Sequence, residues 1–264
     1  MNQKILKLTR KWWFYLIIII LNFTIPPIAT NNFKLEDWGP IINKTLRNSF
    51  SITTWEPFAI PFQIVFIVII FLLFITKGNG LIKKYFALFV SLSYFLYTIG
   101  QNIAISDKYG LSIITINIIM FMLVAYSWLV EFKEQKNDYE FKNWKAQYIW
   151  LVVFSIIAFW APIDYSSVPT IDLHPKYFIT SGSALAFCLT TPLLLTIMTL
   201  NIPKINIFTY RVTALVGTII GIYNMMLFNI PELFWLAVVH IPLMTVSLFS
   251  LINSYRIEKK YDLK

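Results

Sequence analysis

Residues 64–75 are Ile, Val, Phe or Leu without interruption, so this stretch is apolar on every side. A strand of a membrane β-barrel would instead alternate between lipid and lumen over about ten residues. A helix that is apolar all round is buried in protein or in lipid. Extended to 57–76, the run has the length that ~20 residues at ~1.5 Å each need to cross a hydrocarbon layer of roughly 30 Å. Only 13% of the residues are charged and 58% are hydrophobic, against roughly 25% charged in soluble domains. There are too few polar side chains to cover a water-facing surface, and the chain is expected to be all-α, a polytopic integral membrane helical bundle.

Apolar runs between charged punctuation predict about eight transmembrane helices, at 12–29, 57–76, 86–105, 111–130, 147–163, 177–200, 207–228 and 233–253. Together they make a single transmembrane domain over 1–264, with the first span retained rather than removed as a signal peptide. Tryptophans such as Trp13, Trp150 and Trp235 fall near predicted boundaries, where amphipathic rings favour the interface. The outer loop 31–56 carries Asp37-Trp38-Gly39-Pro40, and proline suits a first helical turn. Positions 42, 46, 49 and 50 share one face, which predicts a short amphipathic helix on the outer membrane surface or capping the bundle. Gly217 and Gly221 give the seventh span a small-residue face for close helix approach, either within the bundle or in a homo-oligomer.

Lys and Arg favour cytoplasmic loops. Of the 22 present, all but Lys34, Lys44, Arg47, Lys108 and Lys176 fall on one side of the alternating connections. The two faces then carry −2 and +11, which places the protein in the cell membrane with both termini cytoplasmic. A pI near 9.5 would raise nucleic-acid binding in a soluble protein. Here topology and anionic inner-leaflet lipid account for the charge, and the expected partner is the lipid bilayer, with no nucleic acid. High Ile, Asn, Lys and Phe content points to an AT-rich prokaryotic genome.

Chemistry within the spans is sparse. No mid-span lysine, arginine ladder or chain of buried carboxylates is present to run a retinal protein, a voltage sensor or an ordinary ion pump. No Walker loop, His-Glu-x-x-His or Cys-x-x-Cys motif occurs, no metal site is expected, and the residues name no cofactor. Cys188 alone cannot form an intrachain disulfide. What remains are carboxamides and an imidazole: Asn22, Gln63, Gln101, Asn102, Asn117, Asn224 and His240. Measured from span midpoints, all lie in the outward half, below a rim that includes Asp164, Asp172, His174 and Glu232. His240 precedes Pro242, whose ring breaks the backbone bond to residue 238.

This asymmetry predicts an outward-facing polar cavity that binds or transports a small neutral or weakly cationic molecule. Its ligand-binding residues would be Gln63, Gln101, Asn102, Asn117, Asn224, His240, Asp164 and Glu232. Two alternatives are a membrane-embedded enzyme acting at the extracytoplasmic leaflet, with His240 as acid or base, and a noncatalytic subunit or sensor packed on a membrane-protein partner. Amides that only bond helix to helix would give the same pattern without a ligand. The topology has a direct check in a Cys188→Ala background. Lys136→Cys should react with an impermeant thiol reagent only after lysis, and strong labelling of intact cells would invert the orientation.

Overall fold

The computed structural model describes residues 7–9, 11–141, 145–164 and 168–261; of the cations counted above, Lys4, Arg10, Lys142 and Lys264 lie outside them. Among them the helices of ten residues or more are α1 (Trp12–Thr24), α2 (Trp38–Arg47), α3 (Glu56–Ile75), α4 (Gly80–Gly100), α5 (Thr115–Glu134), α6 (Ile149–Trp160), α7 (Phe187–Leu200), α8 (Ile207–Met225) and α9 (Phe234–Tyr261). Short strands lie in the connections: β1 (Ile28–Ala29), β2 (Ile103–Ser106), β3 (Gly110–Ile113), β4 (Ile163–Asp164) and β5 (Thr170–Ile171).

The count of eight spans is corrected. Among the described residues, four helices are long and apolar enough to cross a membrane: α3, α5, α8 with its extension to Asn229, and α9 from Pro231. A fifth is reached if Tyr177–Leu185 and α7, which meet at 92°, form one broken span. With 13 and 12 residues, α1 and α6 extend only about 20 and 18 Å. Helix α4 has 21 residues but carries Lys83 and Lys84 and buries Ser91, Ser93, Tyr94, Tyr97 and Thr98. It is a core helix packed against α5 rather than a uniformly apolar one. By contrast α3 leaves Phe58, Ile64, Val68, Phe71 and Ile75 exposed, the surface that lipid would cover.

Runs that looked continuous in sequence are also shortened. Pro26 and Pro27 follow the end of α1, and proline cannot continue the helical ladder. Between the expected spans 86–105 and 111–130, Asp107 and Lys108 favour water, and Gly110 takes φ 61°, a left-handed conformation open to glycine. The flanking residues pair as an antiparallel hairpin, Ile103 with Ile113 and Ser106 with Gly110. Strand β1 joins it, Ile28 opposite Ile113, giving the order β1-β3-β2. Helix α2 caps this sheet. Its buried positions are Ile41 and Thr45, one residue off the face expected, and Leu46 is exposed. The offset follows from Thr45, whose Oγ1 meets Ser112 Oγ at 2.8 Å and so turns that side of the helix to the hairpin.

Helices α8 and α9 form the tightest pair. A Cβ on Gly221 would come within 2.8 Å of Met244 Cα, and one on Gly217 would strike Ser247. The small-residue face is therefore occupied inside the bundle.

The connections sort into two ends. One holds the sheet, α2 and residues 161–164 and 168–176. At the other, Arg211 is fully buried and ties three segments together. Its Nη2 donates to Glu258 Oε2 at 2.7 Å, its Nε to Ser254 Oγ at 3.1 Å and its Nη1 to Thr9 Oγ1 at 3.1 Å. The guanidinium also lies 4.3 Å from the Tyr255 ring centre. Segments near the two ends of the chain thus meet at one end of the bundle.

Beside this lock, Asn137 accepts from Asn206 N–H at 2.6 Å and donates to Tyr139 Oη at 2.9 Å. Burial first, then the nearby Glu131 carboxylate, push the Tyr139 hydroxyl well above its usual range. It therefore stays protonated. At the surface Lys204 pairs with Asp138 at 2.7 Å, and that bond raises the lysine above its ordinary value.

Removing one partner of a buried ion pair is more damaging than removing both. Glu258→Leu should lower unfolding stability by about 3–5 kcal/mol by leaving Arg211 without this carboxylate, and Glu258→Leu with Arg211→Met should recover much of that loss. Denaturation of both variants in bilayer discs checks it; a double variant as unstable as the single one would contradict the account.

Candidate functional site

The break at residues 177–187 is the segment to which three of the polar side chains singled out from sequence are brought. A single helical turn, Tyr177–Thr180, ends at Ser181. Gly182 then takes φ 67°, where a side chain would be strained. A 3-10 turn at Ser183–Leu185 follows, and extended Ala186 redirects the chain into α7. Turning through 92° this way removes the helical partners of several backbone groups, which must find others.

Side chains of α3, of α4 and of Gln101 just past its end supply those partners. Gln63, fully buried, donates from Nε2 to Phe178 O at 3.0 Å and accepts from Ala184 N–H at 2.7 Å. Tyr97 donates its hydroxyl to Ala184 O at 2.6 Å. Gln101 Oε1 accepts from Phe187 N–H at 2.9 Å. Within α7, Thr190 returns a bond to Ala186 O at 2.8 Å, and the hydroxyls of Ser181 and Ser183 lie 2.7 Å apart. Rings fix the restart of α7: Phe121 stacks on Phe187 at 4.1 Å, and Tyr94 meets Phe187 edge-on at 5.5 Å.

The other residues singled out from sequence are placed as follows. Asn224 donates to Ile220 O at 2.9 Å and reaches Cys188 Sγ at 3.7 Å, which sets it beside the break. Asn102 donates to Tyr97 O and Thr98 O, both at 3.2 Å, and its Oδ1 is buried without a partner. Asn22 bonds to Ile18 O at 2.7 Å and Met120 Sδ at 3.8 Å. His240 Nδ1 lies 2.6 Å from Leu236 O. A carbonyl only accepts, so Nδ1 carries the proton, and in the neutral ring Nε2 is an acceptor. Asn117 is half-buried near the start of α5, Asp164 is half-buried in β4, and Glu232 is exposed in a turn at Pro231–Leu233.

Gln63, Gln101 and Asn224 are thus brought to one segment, whereas Asn102 and His240 bond into their own helices. The bonds of Gln63 and Gln101 reach backbone rather than open water. Sequence reasoning passed over Thr190 and the Ser181-Gly182-Ser183 step; a glycine between two hydroxyls inside an apolar run was the available signal. On the rim, Tyr177 donates to Asp172 Oδ2 at 2.8 Å, and the Trp160 ring stacks on Phe178 at 5.3 Å. Among the described residues, no three His, Cys, Asp or Glu side chains gather as a metal site needs.

Comparison with protein families, with curated proteins and with solved structures gave no match. The protein is a mostly helical chain with several apolar helices of membrane-spanning type, and its site must be read from its own residues.

Gln63→Leu would unpair a backbone N–H and a C=O at once. A loss of about 1–3 kcal/mol is expected from the unmet desolvation of such groups, and a smaller one for Asn224→Leu, whose carboxamide mainly returns to its own helix. Thermal unfolding in bilayer discs checks the order; a Gln63→Leu protein as stable as wild type would contradict it.

Proposed function

We propose that this is a multi-pass membrane protein with both termini cytoplasmic, which binds or transports a small neutral or weakly cationic molecule reaching residues 181–187 from outside. The observation that carries the reading is the 92° break between Tyr177–Leu185 and Phe187–Leu200. Non-helical backbone at membrane depth persists where it is enclosed by protein or lines an aqueous cavity. In transporters such unwound segments offer their backbone groups to substrates.

Here the segment presents half-exposed Ser181 and Gly182 within a frame held by Gln63, Gln101 and Tyr97. The wider set of Asn102, Asn117, Asn224, His240, Asp164 and Glu232 completes the proposed surround. Two features favour a neutral or cationic ligand over an anion: the −2 balance of the outer connections, and the acceptor left at His240 Nε2. Orientation rests on the cation asymmetry, since Lys and Arg concentrate at the end marked by Arg211.

A thermal-shift screen of small neutral and weakly cationic solutes tests the reading. A stabilising solute should lose most of its effect in Ser181→Ala and His240→Ala when signals are normalised to folded protein. It should keep it in Cys188→Ala, where a small apolar residue replaces another. An effect unchanged in Ser181→Ala and His240→Ala would remove the site.

A further inference from the structure

At the opposite end of the bundle, the connection into α6, the turn at Ile202 and Pro203 and the last turns of α9 enclose a cleft of about 470 Å³. Its charged lining residues are Lys145, Arg256 and Lys260, with no acid among the described residues that line it. Among the described residues none of the three cations forms an ion pair, in contrast to Lys204 and Arg211 nearby. Asn253 also lines the cleft, and its Nδ2 is buried without a hydrogen-bond partner. Three cations lining one cleft, beside an amide donor without a partner, suit an anion rich in acceptor oxygens.

The surroundings narrow the anion. Tyr148 and Tyr261 stand at the cleft, as amphipathic rings do at a membrane interface. Apolar side chains continue from it along both bordering helices. Ile149, Val153 and Ile156 are exposed on one face of α6, and Leu248 and Ile252 are exposed on α9. Polar head and apolar extension thus follow each other, as they do in a phospholipid.

We propose that this cleft is a phosphate site that takes the headgroup of an anionic phospholipid, with the acyl chains along α6 and α9. The guanidinium of Arg256 can grip two phosphate oxygens at once, and the two ammonium groups act as mobile point charges. The site is independent of the outer-end ligand reading, and either can fail alone.

The test compares the whole protein in discs of phosphatidylcholine with and without phosphatidylglycerol, and in detergent with inorganic phosphate. Melting temperature and retained lipid by native mass spectrometry are the readouts. Phosphatidylglycerol should raise the melting temperature of the wild type. Arg256→Gln with Lys260→Gln should weaken lipid retention roughly thirtyfold and abolish the rise, while Lys77→Gln with Lys83→Gln, equal in charge but outside the cleft, should keep both. Protection by inorganic phosphate alone, lost in the same cleft variant, would retain the phosphate site and overturn the lipid as its source. Protection by neither, or protection that survives in the cleft variant, would overturn the proposal.

Discussion

Inside a hydrocarbon layer no water is present to pair with a backbone N–H or C=O, and each group left alone costs several kcal/mol. A straight helix meets this demand by itself. The segment 177–187 does not, because the chain turns through 92° at its junction with α7. The frame around it is arranged to supply what the turn removes: Gln63 serves both a carbonyl and an amide of the segment, Tyr97 serves Ala184 O, and Gln101 serves the first amide of α7. The polar residues of this layer therefore have a structural task that any ligand must work around. A ligand would meet the face of the segment that these bonds leave uncovered, around Ser181 and Gly182.

The two ends of the bundle solve different problems. At the sheet end, short strands and a capping helix close the bundle with hydrogen bonds. At the other end, charge is both concentrated and sorted. Arg211 is withdrawn into the protein and paired with Glu258, Lys204 is neutralised at the surface by Asp138, and Lys145, Arg256 and Lys260 face a shared cleft. A charge fully paired inside the fold stabilises geometry, whereas one facing a cleft is available to something outside the chain. That difference separates the Arg211 lock from the proposed phosphate site.

Much of this organisation was legible in the sequence, because hydropathy reports helices directly. Each apolar run holds a helix, and the charged segments between runs fall at the ends of the bundle. Span length was less legible. The run 12–29 looks continuous until Pro26 and Pro27 end it, and residues 103–105 and 111–113 read as helix although a turn at Asp107 to Gly110 pairs them as strands. Strands of two to four residues are too short to show a period. Gln63 and Gln101 were visible as unusual residues, but their partners are backbone atoms, which carry no sequence signature. In sequence Arg211 is only one more cation of the basic side, because Thr9, Ser254 and Glu258 come from distant segments that only the fold brings together.

The central claim is that the backbone of the bent segment 177–187 and the first amide of α7 are closed by the side chains of Gln63, Tyr97 and Gln101. Hydrogen–deuterium exchange of the protein in bilayer discs measures this at the groups concerned. The amides of Ala184 and Phe187 should exchange as slowly as those in the middle of α7, and Gln63→Leu should speed Ala184 while leaving mid-α7 slow. Fast exchange at both amides in the wild type would show that no such closure exists.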